Sequence, residues 1–165
     1  MTFPLQHAPT ARTVLYVEDC EVNAAIMKTL FDFHADWRLV IATDGRQALD
    51  LAGRLCPDLL LLDIQLPDCR GDDLLSRLQG LAGVGSVPAI AVTAERDFSI
   101  HGTGFDDVWQ KPLDLQRVTA RLNHWLPHQP SAGPLGRAAA THRATAAAAG
   151  LIGRRQRGRP STIVQ

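Results

Sequence analysis

Residues 57–67 read PDLLLLDIQLP, and this stretch decides the fold class. Pro57 interrupts the segment before it, and the predicted strand Asp58–Leu62 then consists, after its first residue, of leucines alone. An apolar run without alternation is typical of a strand that is covered on both faces, as in a parallel sheet. We therefore expect a central parallel strand here, with the acidic side chain of Asp63 at its carboxyl end.

Working outward from this strand, predicted strands and helices alternate along the chain. Further strands are predicted from short apolar or β-branched runs at Thr13–Glu18, Arg38–Ala42, Pro88–Val92 and Asp106–Gln110. Helices are predicted at Glu21–Phe33, Asp44–Leu55, Gly71–Leu81, Asp114–Leu126 and, in shortened form, Glu95–His101. This alternation predicts an α/β fold, in which a doubly wound five-stranded parallel sheet carries helices on both faces.

The charges are unevenly distributed along the 165 residues. Residues 1–127 carry 11 basic and 17 acidic side chains, whereas residues 128–165 carry 6 arginines and no acid. We divide the chain into a flexible leader (1–11), a folded domain (12–127) and a basic tail rich in Ala, Gly, Pro and Arg (128–165). The tail is expected to be disordered because it has few large apolar side chains to bury.

The overall composition excludes several classes of protein. Hydrophobic residues make up 45% and charged residues 21%, which excludes wholesale disorder, collagen and a small disulfide scaffold. No apolar run is longer than the four residues of Leu59–Leu62, far fewer than the roughly 20 residues that cross a bilayer. Met1–Thr10 lacks the apolar segment of a secretory signal, and the three cysteines are an odd number, so we expect a cytoplasmic protein.

Polar side chains lie where the predicted strands end. Glu18 and Asp19 end the first strand, Asp63 ends the third, Thr93 follows the fourth, and Lys111 follows the fifth. The carboxyl ends of parallel strands form one ligand-binding edge, so these groups are expected to converge. Three close carboxylates repel one another, and Mg²⁺ is the natural counter-ion because it prefers oxygen ligands. A carboxylate beside Mg²⁺, with an amine and a hydroxyl nearby, is equipped to accept a phosphoryl group.

Four segments, in this order, resemble the response-regulator receiver domain of two-component signalling. They read VLYVEDCEVN (14–23), PDLLLLDIQLP (57–67) followed by Gly71, AVTA (91–94) and QKPL (110–113). The resemblance covers about residues 12–127. It implies the flavodoxin-like fold of that family, with strand order 2-1-3-4-5.

The resemblance also implies a role for each site residue. Asp63 would be the phosphoacceptor, supplied with a phosphoryl group by a sensor histidine kinase or a histidine phosphotransfer protein. The domain would then be a phosphorelay switch, which phosphorylates and dephosphorylates itself, rather than an enzyme. Mg²⁺ would be held by Glu18, Asp19, Asp63 and the backbone carbonyl of Gln65. Thr93 and Lys111 would bind the phosphoryl group and mediate switching, and the Lys111–Pro112 bond would be cis.

Two departures from the family pattern concern the switch. Val108 occupies the position, three residues before the lysine, where receivers usually carry an aromatic side chain, so we consider Trp109 as its substitute. Only 17 residues separate Thr93 from Lys111, which shortens the helix between them and suggests an unusual partner or a weak homodimer. The chain fits either a stand-alone receiver or the separated receiver of a hybrid sensor kinase.

Other readings remain open at this point. With a blunted switch, the domain would serve as a scaffold or a phosphate sink. Arg157 and Arg159 lie in an RGRP segment that is similar to the core of an AT-hook, so the tail could contact DNA weakly. Cys20 and Cys69 border the proposed metal site and form a candidate redox pair if their Cα atoms lie within about 7 Å.

Overall fold

The computed structural model describes residues 11–127 of the chain. The leader up to residue 10 and the whole tail, with the candidate DNA contacts Arg157 and Arg159, lie outside the described residues. The strands are β1 (Arg12–Val17), β2 (Trp37–Ala42), β3 (Leu59–Asp63), β4 (Ala89–Thr93) and β5 (Asp107–Gln110). The helices of residues 11–127 are α1 (Glu21–Asp32), α2 (Gly45–Leu55), α3 (Gly71–Gln79) and α4 (Leu115–Trp125).

The five strands form one sheet in the order β2-β1-β3-β4-β5, and every neighbouring pair is parallel. This confirms the predicted fold class and strand order. Along β1, Val14 pairs with Leu39 of β2 on one side and with Leu59 of β3 on the other. The chain crosses from β1 outward to β2 and then back past β1 to β3. The carboxyl ends of β1 and β3 therefore lie side by side, on either side of the point where the strand order reverses.

The leucine run of β3 is buried on both faces, as expected. Leu60 and Leu62 pack into the cluster formed with α2 and α3, whereas Leu59 and Leu61 pack into the cluster formed with α1 and α4. All four side chains are 0% exposed. Successive strand residues point to opposite faces, so a strand that lies between two helical layers needs apolar residues at every position.

Aspartates begin two of the helices. The Asp44 carboxylate accepts a hydrogen bond from Gln47 N at the start of α2, and Asp114 accepts from Gln116 N and Arg117 N at the start of α4. These bonds satisfy amide groups that have no partner within the helix. None of the helices in residues 11–127 is long and apolar enough to cross a membrane.

The segment between β4 and β5 departs from the prediction. A shortened helix was expected over Glu95–His101, but residues 94–106, all of them described, form turns and bends instead. Just after the expected helix, Gly102 and Gly104 adopt φ values of +76° and +85°, in the left-handed region that glycine reaches without steric cost. Within the segment, the rings of Phe98 and Phe105 meet edge to face with centroids 6.1 Å apart.

Candidate functional site

Three acidic side chains converge at the carboxyl edge of the sheet. Oxygen atoms of Glu18, Asp19 and Asp63 all lie within 4.8 Å of one another. Glu18 and Asp63 are buried, at 1% and 6% exposure, whereas Asp19 is exposed. The cluster therefore has two fixed interior carboxylates and one that faces solvent. An all-oxygen donor set of this kind can hold a hard divalent cation.

Lys111, which follows β5, lies between the two buried carboxylates. Its Nζ atom lies 2.6 Å from Asp63 Oδ2 and 2.7 Å from Glu18 Oε2. Burial by itself would lower the pKa of Lys111, but the hydrogen bonds and negative charges of Asp63 and Glu18 outweigh it and raise the pKa. The amine is therefore held as a cation beside the predicted phosphoacceptor.

The other oxygen of Asp63 is fixed by the loop that follows β3. Gln65 N donates to Asp63 Oδ1 at 3.0 Å, and Gly71 N donates to Ile64 O at 3.0 Å as the loop returns to α3. A Cβ atom at position 71 would lie 2.3 Å from the backbone oxygen of Asp63. Only glycine permits this close approach of α3 to the end of β3. The loop thus places Gln65 beside the Asp63 carboxylate.

Two donors to Glu18 were not singled out from the sequence. The Tyr16 hydroxyl donates to Glu18 Oε2 at 2.6 Å, and Asn23 Nδ2 donates to Glu18 Oε1 at 2.9 Å. Tyr16 is 0% exposed, and burial together with its bond to Glu18 raises the pKa of its phenol. The contact between Tyr16 and Glu18 could have been expected from the sequence, because residues two apart on a strand point to the same face.

Thr93 ends β4 at the same edge of the sheet and is 0% exposed. Its hydroxyl accepts a hydrogen bond from Glu95 N at 3.0 Å, and its backbone oxygen accepts one from Lys111 N at 2.8 Å. The Glu95 carboxylate in turn accepts a hydrogen bond from Gln65 Nε2 at 3.1 Å and pairs with Arg70 at 3.5 Å. The ends of β3, β4 and β5 are therefore connected around Asp63 by polar contacts.

The switch position differs from the sequence-based expectation. Trp109 is 3% exposed and packs into the cluster with α1 and α4, and its indole N–H donates to Asp107 Oδ2 at 3.0 Å. Val108 packs on the opposite face, against the cluster that contains Phe105. Adjacent strand residues point to opposite sides of the sheet, so the Trp109 ring does not lie where an aromatic side chain at position 108 would lie. The expectation that Trp109 replaces this aromatic residue is therefore wrong. Phe98 and Phe105 supply the aromatic groups on the face of Val108.

The two cysteines at the candidate site are free thiols. Cys20 is exposed and Cys69 is half-buried, and residues 11–127 contain no disulfide. The Cys69 thiol lies against α2, where a Cβ atom at Gly45 would come within 2.5 Å of its sulfur. Burial and the neighbouring Asp68 raise the pKa of this thiol. The structure therefore gives the redox pair no support.

The β3–α3 loop is also tied to a neighbouring helix, which was not expected from the sequence. The Asp68 carboxylate accepts hydrogen bonds from Gly45 N at 2.8 Å and from Arg46 N at 3.1 Å, at the start of α2. The bond from Gly45 is the main reason that the pKa of Asp68 is lowered. Asp68 and Asp44 together satisfy three successive amide groups of that helix.

The comparisons with known proteins agree with this geometry. The family described as "Response regulator receiver domain" matches residues 14–123. The chain is 30% identical over 122 residues to the polar-differentiation response regulator DivK of Brucella ovis. The matched region covers 70% of this chain and 96% of that protein.

Solved structures show the same likeness. The receiver domain of the sensor histidine kinase PA1611 from Pseudomonas aeruginosa PAO1 matches with 26% identity and a TM-score of 0.64, over 70% of this chain and 98% of that one. That crystal structure has a magnesium ion coordinated in the active site cleft. A CheY-like receiver domain from Methylobacillus flagellatus shares the fold, with 24% identity and a TM-score of 0.63, over 70% of this chain and 99% of that one. This chain belongs to the family of response-regulator receiver domains.

Proposed function

We propose that Asp63 accepts a phosphoryl group from a phosphohistidine and that the domain acts as a phosphorylation-dependent switch. The observation that supports this most directly is the setting of the Asp63 carboxylate. It is only 6% exposed, and its two oxygens are held by Lys111 Nζ at 2.6 Å and by Gln65 N at 3.0 Å. A nucleophile that is fixed in this way loses little orientational freedom when it reacts.

In the proposed reaction, an oxygen of Asp63 attacks the phosphorus atom of the donor. The bond between phosphorus and the imidazole nitrogen breaks, and the nitrogen keeps the electron pair. Lys111 then turns from the Asp63 carboxylate to the equatorial phosphoryl oxygens, whose negative charge it stabilises. Glu18, Asp19, Asp63 and the Gln65 carbonyl would hold Mg²⁺, which supplies further neutralisation of that charge.

Thr93 would couple phosphorylation of Asp63 to the conformation of the rest of the domain. Its hydroxyl now accepts a hydrogen bond from Glu95 N, and it is free to donate its own proton to a phosphoryl oxygen. The new charge and its acceptor oxygens favour the arrangement in which Thr93 and Lys111 both face the phosphoryl group. Phosphorylation would thereby shift the population of the domain toward its output state.

The proposed partner is a sensor histidine kinase or a histidine phosphotransfer protein. Receiver domains are signalling switches that interact with such proteins. One of the similar structures is itself the receiver domain of a sensor histidine kinase. We place the reaction in the cytoplasm, in keeping with the three free cysteines.

The test is a phosphorylation measurement on the full chain, made by intact mass with acetyl phosphate and Mg²⁺. We expect the wild type to gain the mass of one phosphoryl group, and we expect a chelator or Asp63→Asn to prevent this gain. Folding of each variant is checked by circular dichroism. A folded wild type that binds Mg²⁺ but takes up no phosphoryl group from acetyl phosphate or a phosphohistidine donor would contradict the proposal.

A further inference from the structure

The buried phenol of Tyr16 contacts the acid cluster but is not one of the residues that the proposed reaction uses. It lies on β1, two residues before Glu18, and its hydroxyl donates to Glu18 Oε2 at 2.6 Å. A buried phenol needs a partner for its proton, and a carboxylate is a strong acceptor. The contact therefore constrains Glu18 as much as it satisfies Tyr16.

Glu18 is the meeting point of three donors. Tyr16 and Asn23 each donate to one of its oxygens, and Lys111 Nζ lies 2.9 Å from Oε1 and 2.7 Å from Oε2. The same amine lies 2.6 Å from Asp63 Oδ2. Lys111 is therefore shared between Glu18 and Asp63, and the stronger acceptor holds it more tightly.

We propose that Tyr16 is a positioning residue that sets how Lys111 is divided between Glu18 and Asp63, and this inference rests on the proposed function. A hydrogen bond from a neutral donor takes up part of the charge on a carboxylate oxygen. Glu18 consequently attracts Lys111 less strongly, and the amine remains available to Asp63 and, after the transfer, to the phosphoryl group.

Removal of the hydroxyl would leave Glu18 Oε2 with one acceptor position empty. Glu18 is 1% exposed, so water cannot readily replace the lost donor, and a buried acceptor without a donor is costly. Lys111 is the neighbouring donor that can fill the position, and it would do so by moving away from Asp63. The bond from Asn23 to Oε1 would persist and keep the carboxylate on the same side of the site.

The chain offers a spectroscopic reporter for this contact, because Tyr16 is its only tyrosine. The ultraviolet resonance Raman doublet of tyrosine depends on whether the phenol donates a hydrogen bond, so the signal of the full chain reports this one bond. In Asp63→Asn the side chain at position 63 has no charge, so we expect Lys111 to shift toward Glu18. We expect the phenol to donate less strongly in that variant, without any phosphorylation.

The experiment combines this signal with phosphorylation rates of the full chain at saturating Mg²⁺, with acetyl phosphate as donor. We expect Tyr16→Phe to lower the rate about fivefold, since only part of a charged hydrogen bond is redistributed. Asn23→Ala removes the other neutral donor and should lower the rate in the same direction. Urea unfolding of each variant measures any purely structural effect.

The results separate the inference from the proposed function. A rate for folded Tyr16→Phe that is within twofold of the wild type, or higher, overturns the inference. So does a tyrosine doublet that is the same in the wild type and in Asp63→Asn. If the wild type takes up no phosphoryl group, the proposed function fails, and the Raman comparison still decides whether Tyr16 and Lys111 compete for Glu18.

Discussion

Two connections at the carboxyl edge of the sheet are held in different ways. The β3–α3 loop, residues 64–70, is fixed by polar contacts at three points: Gln65 N on Asp63, Gly71 N on Ile64, and Asp68 on the start of α2. The β4–β5 connection, residues 94–106, contains no helix. Polar contacts hold its two ends, at Glu95 and Asp106, and between them the rings of Phe98 and Phe105 pack together. Directional hydrogen bonds fix atomic positions more closely than apolar contacts do.

This difference separates two tasks of the domain. The β3–α3 loop positions the proposed acceptor, Asp63, and small displacements there would matter for the proposed reaction. We expect the aromatic pair of the β4–β5 connection, Phe98 and Phe105, to repack without moving Asp63, because Asp63 is held by Gln65 N and Lys111 Nζ instead. Perturbations of the β3–α3 loop should therefore affect chemistry and stability together, whereas perturbations of the aromatic pair should affect stability alone.

The largest effect is expected for Lys111→Ala. Its removal leaves Glu18 and Asp63, both buried, without their shared cation, and breaking a buried ion pair in this way costs about 3–5 kcal/mol. Urea unfolding measures the loss. Added Mg²⁺ should stabilise this variant more than it stabilises the wild type, and equal stabilisation would contradict the assignment of the cation site.

Phe105→Ala tests the aromatic packing of the β4–β5 connection. Phe105 is 6% exposed, and its truncation should lower the free energy of unfolding by about 3 kcal/mol. Phe33, at 82% exposure, provides the control, and Phe33→Ala should change stability by less than about 0.5 kcal/mol. Phosphoryl uptake by folded Phe105→Ala should match the wild type, and its loss would remove the contrast between the two connections.

Gly71→Ala tests the close approach of α3 to the acceptor strand. The new Cβ would meet the backbone oxygen of Asp63 at 2.3 Å, so the backbone must shift, at a cost of about 2 kcal/mol. Gly53→Ala is the matched control, because nothing lies within 4 Å of its added Cβ. That change should stabilise α2 by about 0.5–1 kcal/mol. Thermal unfolding of the pair should shift in opposite directions.

Asp68→Asn is expected to have the smallest effect. The exposed carboxylate accepts hydrogen bonds from two amides at the start of α2, and loss of its charge should cost about 0.5 kcal/mol at neutral pH. Folding lowers the pKa of Asp68, so its contribution is present above the unfolded pKa of about 3.9 and is lost as the pH falls through the folded pKa. The two proteins should therefore converge in stability in acid, and a difference that persists there would contradict this account.

Sequence reasoning predicted those parts of the molecule in which a local pattern has one structural solution. The leucine run of β3 needs two apolar faces, which fixes a parallel sheet. The acids and the lysine at strand ends had to meet once that sheet was fixed. The cis bond between Lys111 and Pro112, implied by the family resemblance, is also present.

Other features were decided by contacts between residues far apart in the chain. The helix expected over Glu95–His101 is absent, and Phe98 of that segment packs on Phe105. Trp109 lies on the face opposite Val108, because adjacent strand residues alternate, and there it packs with residues of α1 and α4. Asp68 reaches α2 across 23 residues of sequence, and no local pattern encodes such a contact.

The amino-acid sequence by itself determined the class of fold, the family and the chemical groups at the sheet edge, because hydrophobic period and residue type are local properties. The tertiary structure decided which carboxylate oxygen accepts a hydrogen bond from each donor. Only there does the Tyr16 phenol meet Glu18 at 2.6 Å, and only there does Lys111 lie between two carboxylates. Hydrogen bonds of this kind depend on distances of a few tenths of an ångström, which only the packed chain can set.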